Sequence, residues 1–243
     1  MSKTDDYRLK LKELRNWKSF LLKNSGLPGP RGNLELAKVV AEEGTKVQFE
    51  EFLSLQADEN TPEVFVVFCG IVGLGKLAAQ GEHQFLVPLR SYASDPRWRI
   101  REGVATALQY IGDTDMNLLL KEMQVWSLGN WYEKRAAAAA LAEPRLLKEP
   151  KVVKKVLQIL NQITDKVNSA QSPKDEAFKV LRQGLGYCWS VAVAAFPKEG
   201  KPILEKWLLS KNPDVHWIMK ENLKKNRLVK MDPVWVKRCL SKL

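Results

Sequence analysis

The sequence predicts an all-α chain, an α-solenoid in which paired helices stack as repeats. Three observations carry this. Apolar residues recur at helical spacing along almost the whole chain, no alternating strand pattern persists, and similar helix starts return at a fixed interval. Thr61-Pro62-Glu63, Asp95-Pro96-Arg97 and Gly129-Asn130-Trp131 lie 34 residues apart, and Arg135 stands 34 after Arg101. Paired helices at such a period are the mark of a solenoid, because one pair cannot bury its apolar face alone.

Residues 95–113, DPRWRIREGVATALQYIGD, form the template. Asp95 suits the N-cap, Pro96 the first helical position, and Gly112 a left-handed stop. Ile100, Val104, Ala107, Leu108 and Ile111 make the apolar stripe, with Arg97, Arg99, Arg101 and Glu102 on the other faces.

Residues 4–23 predict an N-terminal amphipathic helix, with Leu11, Leu14, Trp17 and Leu21 as its stripe. SGLPGPRGN (25–33) breaks the chain. Asn33 caps a helix that Gly44 stops, and another spans 47–56. Residues 61–79 are apolar nearly all round, so this helix is covered on several sides; a strand over VFVVFCGIV lacks a partner. Shorter outer helices precede the second and third inner ones, at 82–92 and 115–126, and Pro88 demands a kink or a late start in the first. Further helices are predicted over 152–167, 177–196, 202–209, 213–228 and 233–240, with a loop at 168–173. Gly184 and Gly186 inside the second of these imply close packing or a ligand. The expected organisation is a single domain: a capping helix in 1–24, helical pairs over 34–228 and a terminal cap in 232–243.

The formal net charge is +11 and the pI about 9.5, a balance that favours a polyanionic partner over a neutral one. The surplus is uneven. Residues 35–63 hold eight carboxylates against two lysines, whereas from Lys198 onward twelve Lys and Arg face five Asp and Glu. The segment KENLKKNRLVK (220–230) alone has five cations and one anion. Three separated cysteines and two histidines do not make a zinc site and suit a reducing, cytoplasmic compartment. No apolar run approaches the ~20 residues of a membrane span, so no membrane partner is expected. No phosphate loop, nucleophile elbow or metal-ligand motif is present; Gly73-x-Gly75 lies within an apolar helix, and no cofactor is implied.

The repeat DPRWRIREGVATALQYIGD resembles a HEAT repeat, whose second helix opens on Asp-Pro and carries an Arg before small residues. The resemblance covers about residues 61–228 and implies the fold, while leaving function open. Two stretches, WSLGNWYEKRAAAA (126–139) and VLRQGLGYCWSVAVAAFP (180–197), are similar to the HEAT-like alkylpurine DNA glycosylases of DNA alkylation repair. That family places a Trp and, four residues on, an Asp on an inner helix. Trp98 and Glu102 stand there in this chain, with Glu in place of Asp, and Gly186-Tyr187 replaces the family's Gly-Trp. The motif is thus matched in part.

Trp98 and Glu102, one helical turn apart, are the candidate catalytic pair: an aromatic to stack on a cationic base and a carboxylate to stabilise charge developing on the sugar. The sequence favours a structural reading, in which Trp98 packs between repeats and Glu102 pairs with Arg135. Arg101, Arg135, Arg182 and Lys220 occupy similar positions in successive inner helices and would form a cationic row along a concave groove. Arg97, Trp131, Tyr187, Trp217 and Lys224 complete the candidate nucleic-acid contacts; Trp126, Trp189 and Trp207 read as core. The partner expected is nucleic acid, duplex DNA in the first place, bound without catalysis. The alternatives are an active glycosylase and a scaffold for an acidic protein.

Overall fold

The computed structural model describes residues 2–170 and 175–243, and these contain helices and no strand. The chain divides into two compact units, which meet in sequence at Asp115 and Met116.

The first unit comprises α1 (Lys3–Glu13), α2 (Lys18–Asn24), α3 (Leu34–Glu43), α4 (Lys46–Leu53), α5 (Pro62–Ala79), a 3₁₀ turn (His83–Phe85), α6 (Leu86–Tyr92) and α7 (Trp98–Thr114). Helix α5 is the centre, packed against α2, α3, α4, α6 and α7. Its uninterrupted apolar sequence follows from that position, because a helix touched from all sides has no solvent face to make polar. By length and composition alone α5 is long and apolar enough to cross a membrane; 72% of it is buried inside the protein. Its glycines set the approach of its neighbours. A Cβ on Gly73 would fall 2.4 Å from the Phe49 ring, and one on Gly75 would fall 2.4 Å from Ala107 Cα.

The second unit comprises α8 (Met116–Trp126), α9 (Trp131–Leu141), a 3₁₀ turn (Pro144–Leu146), α10 (Pro150–Ser169), α11 (Glu176–Ala195), α12 (Pro197–Trp207), α13 (Pro213–Leu223), α14 (Asn226–Met231) and α15 (Pro233–Leu240). Alternate helices pack on one another: α9 on α11 and α11 on α13 in one row, α8 on α10 and α10 on α12 in the other. Trp126 and Trp189 are buried between them, and Trp207 nearly so. Asn222, fully buried, ties α13 to α11: its Nδ2 donates to the Leu185 and Ile218 carbonyls at 2.8 Å each, and its Oδ1 accepts from Ser190 N–H at 2.7 Å.

Several helix ends fall where capping chemistry places them. Asn33, Asn130, Asp175, Asn212 and Asp232 each accept from a backbone N–H of the first turn. Others differ from expectation. The N-terminal helix is two, because the Trp17 indole N–H takes the Leu11 carbonyl at 2.9 Å and the chain leaves the helix after Glu13. Helix α7 begins at Trp98 rather than Pro96. Asp95 accepts the Arg97 N–H at 2.8 Å, closing a turn in front of the helix, and the Arg101 guanidinium binds the Asp95 and Pro96 carbonyls. Gly112 does not stop α7; it is buried inside it, and the helix ends at Asp115, whose N–H binds Ile111 O at 2.7 Å. Pro88 gives a late start, the 3₁₀ turn preceding α6. The 213–228 helix is two, α13 and α14, and the helix expected at 202–209 starts earlier, with Pro202 inside it. The loop expected from 168 does not begin there, since α10 reaches Ser169; residues 171–173 of that expectation lie outside the described residues.

Candidate functional site

Charge separates with the two units. Residues 1–115 carry 15 Lys and Arg against 16 Asp and Glu, a net −1; residues 116–243 carry 24 against 12, a net +12. Any polyanion attracted by the chain's overall charge is therefore attracted to the second unit.

In the first unit, Trp98 and Glu102 line one cavity of about 340 Å³. Its other walls include Phe65 and Phe68 of α5, whose rings stack at 6.4 Å and 8°, together with Leu27, Leu34 and Thr106. Trp98 is 44% exposed. One neighbour fixes it: the Arg99 guanidinium lies 4.4 Å from the indole centroid and donates to Gly29 O at 2.6 Å and Asn60 Oδ1 at 2.8 Å. Glu59 accepts the Trp98 backbone N–H at 2.7 Å and so serves the free start of α7. Phe65 and Phe68 read as core in sequence; nothing in the helical period of α5 marks them as cavity walls.

The two arginines nominated beside this cavity are engaged in the fold. Arg97 forms two hydrogen bonds to the Asp95 carboxylate, at 2.9 and 2.7 Å, and one to Ala57 O; the Asp95 pairing raises its pKa further. Arg101 is buried, holding the carbonyls before α7.

In the second unit, α9, α11, α13 and α14 bring most of the remaining candidates onto adjoining helices. Trp131 meets Phe178 edge-on at 5.4 Å, and the Lys134 amine sits 5.2 Å from its centroid. That amine donates to Gly129 O, and burial lowers its pKa. Arg182 stacks over Trp217 at 4.1 Å while its Nε stands 2.8 Å from Asp214. Gly186 is explained by packing, since Trp217 closes on it at 3.1 Å; Gly184 is not, since a Cβ there would meet the Arg135 Cγ at an ordinary 3.4 Å. Tyr187 is 43% exposed; Arg227 donates to its hydroxyl, with the guanidinium 4.6 Å and the Lys225 amine 6.0 Å from the ring centroid. Lys220 and Lys224 are exposed, and Lys224 pairs with Glu221 at 2.5 Å. Lys225 and Arg227 were legible only as part of a charged segment; their contact with Tyr187, about 40 positions earlier, was not.

Among the described residues no group of His, Cys, Asp and Glu is placed to hold a metal ion. No protein-family model and no curated protein matches this chain.

Proposed function

We propose that the chain is a HEAT-like helical-repeat protein that binds nucleic acid through the basic face of its second unit and performs no catalysis. The observation that carries this is the charge separation: the whole surplus, +12, lies in residues 116–243, where Arg135, Arg182, Tyr187, Trp217, Lys220 and Lys224 sit on adjoining helices. The alternating helix contacts of that unit support the solenoid reading, as stacked helical pairs require them. Three sparse, separated and buried cysteines suit a reducing compartment such as the cytoplasm. The test is a mobility shift on duplex DNA at low and high salt. Retarded complexes that dissociate as salt rises support the reading, and no complex at low salt ends it. Capture of a protein partner that survives both nuclease and charge reversal of Arg135 favours the scaffold instead.

One observation favours a second reading, an alkylpurine DNA glycosylase: Trp98 and Glu102 share a cavity with two further aromatic rings. A cationic base between such rings, with a carboxylate at hand, is the arrangement that glycosidic cleavage needs. The test is release of 7-methylguanine from alkylated DNA by the protein and by Glu102→Gln. No release, or equal release by both, removes Glu102 from any mechanism.

A further inference from the structure

Tyr187 and the cations around it belong to no packing requirement described above. The ring is 43% exposed, and it is held by Arg227, which lies over the ring and donates to its hydroxyl, and by the more distant Lys225, so a base has the face away from Arg227 to stack on. Lys220, Lys224 and Lys225 converge on a single carboxylate, Glu221. Its pKa is lowered first by the Lys224 hydrogen bond and then by the charges of Lys224, Lys225 and Lys220. Glu221 is the only acid in the segment, and it pairs with Lys224. Lys220, Lys225, Arg227 and Lys230 make no direct ion pair among the described residues. Two cations, Arg227 and Lys225, thus contact one exposed aromatic ring, and Lys220, Lys224 and Lys230 belong to the same basic segment.

Cations alone suit any polyanion. The ring discriminates. In a duplex each base is stacked inside the helix and offers no face to a surface tyrosine, whereas an unpaired base can lie flat on it. A phenol restrained by a hydrogen bond and a guanidinium contact gives up little further freedom when a base stacks on it.

We propose that Tyr187, with Lys220, Lys224, Lys225, Arg227 and Lys230, binds single-stranded nucleic acid, an unpaired base stacking on the ring and the adjoining phosphates lying on the cations. This rests on the nucleic-acid reading above and names the form bound.

The experiment is fluorescence anisotropy with labelled (dT)12, (rU)12 and a 12-base-pair duplex, at about 50 and 200 mM salt. At least one single strand binds about fivefold or more tighter than the duplex, and comparing the two strands assigns DNA or RNA. Tyr187→Ala weakens that strand by about 5- to 50-fold and leaves the duplex unchanged, Tyr187→Phe keeps most of the affinity, and Tyr187→Leu, which retains apolar bulk, does not. Lys225→Ser with Arg227→Ser reduces the salt slope for the single strand by about 1.4. Duplex bound as tightly as both single strands, or Tyr187→Ala and Tyr187→Leu without effect, overturns this proposal while leaving nucleic-acid binding intact. No binding to any of the three at low salt overturns both. Polyglutamate competing as well as the oligonucleotides overturns it in favour of an acidic protein.

Discussion

Gly75→Ala tests the packing that shapes the Trp98 cavity. The cavity lies between α5, which supplies Phe65 and Phe68, and α7, which supplies Trp98, Glu102 and Thr106. About two turns beyond Phe68, Gly75 lets the two helices touch. A Cβ there would stand 2.4 Å from Ala107 Cα, 2.4 Å from its Cβ and 2.5 Å from its carbonyl oxygen, where ordinary contact begins near 3.4 Å. Backbone cannot rotate away as a side-chain tip can, so the helices must part by about 1 Å. Overpacking of this kind costs about 1–3 kcal/mol or more, against a gain of about 1 kcal/mol from replacing glycine in a helix. Three Ala107 atoms at 2.4–2.5 Å place the cost at the upper end, so the expected net loss is about 2 kcal/mol, read as a lower urea midpoint by circular dichroism, with altered Trp98 emission as α5 and α7 separate. Gly184→Ala is the control. Its Cβ would meet the Arg135 stem at an ordinary 3.4 Å, so the helix propensity gain survives and stability is unchanged or rises. Equal effects of the two substitutions would refute the reasoning, since only their packing differs.

Asn222→Ala removes three buried hydrogen bonds, two of them to Leu185 O and Ser190 N–H on α11 and one to Ile218 O on α13. A loss of about 2–4 kcal/mol in urea unfolding is expected, and one below about 1 kcal/mol contradicts the buried geometry. Glu205 holds the last helix, accepting from Trp235 Nε1 at 2.7 Å and pairing with Arg238 and Lys242, which lowers its pKa. Asp232, paired with Lys201 at 2.6 Å, is lowered likewise. A carboxyl depressed by folding stabilises above its unfolded pKa, about 4, and that contribution disappears as pH falls through the folded value. Hydrogen exchange in α15 should therefore accelerate on acidification below about pH 4, and Glu205→Gln should weaken that dependence; an identical pH profile in the variant contradicts the latch. Asp95→Ala removes the acceptor that turns the chain ahead of α7 and releases Arg97, so protection of the first α7 amides should fall, with little change in α11.

The sequence was legible where a local signal decides the outcome. Asn33 caps its helix because a short polar side chain reaches its own first turn, and neighbours need not be known. The solid apolar run of α5 announced its central place. Prediction fell short where a distant partner or a competing local bond intervened. Asp95 had the right chemistry for a cap, yet Arg97 claimed it two residues later. Arg101 aligned with Arg135 and Arg182 by position, but its guanidinium turns back onto two carbonyls, a choice that periodicity does not encode. Gly184 and Gly186 read as positions for close packing or a ligand; only Gly186 is tightly packed, and nothing local names Trp217 as its neighbour. The Tyr187 cluster joins α11 to α14 and exists only in three dimensions.

The central claim, that polyanion binding belongs to the second unit, is tested most directly by the salt dependence of oligonucleotide binding in two charge-reversed proteins. One carries Lys220→Glu, Lys225→Glu and Lys230→Glu; the other carries Lys10→Glu, Lys12→Glu and Arg15→Glu, an equal change of charge in the first unit. The slope of log affinity against log salt should shrink by about 2–3 in the former and hold within about 0.5 in the latter. Equal slopes in the two proteins would contradict the assignment.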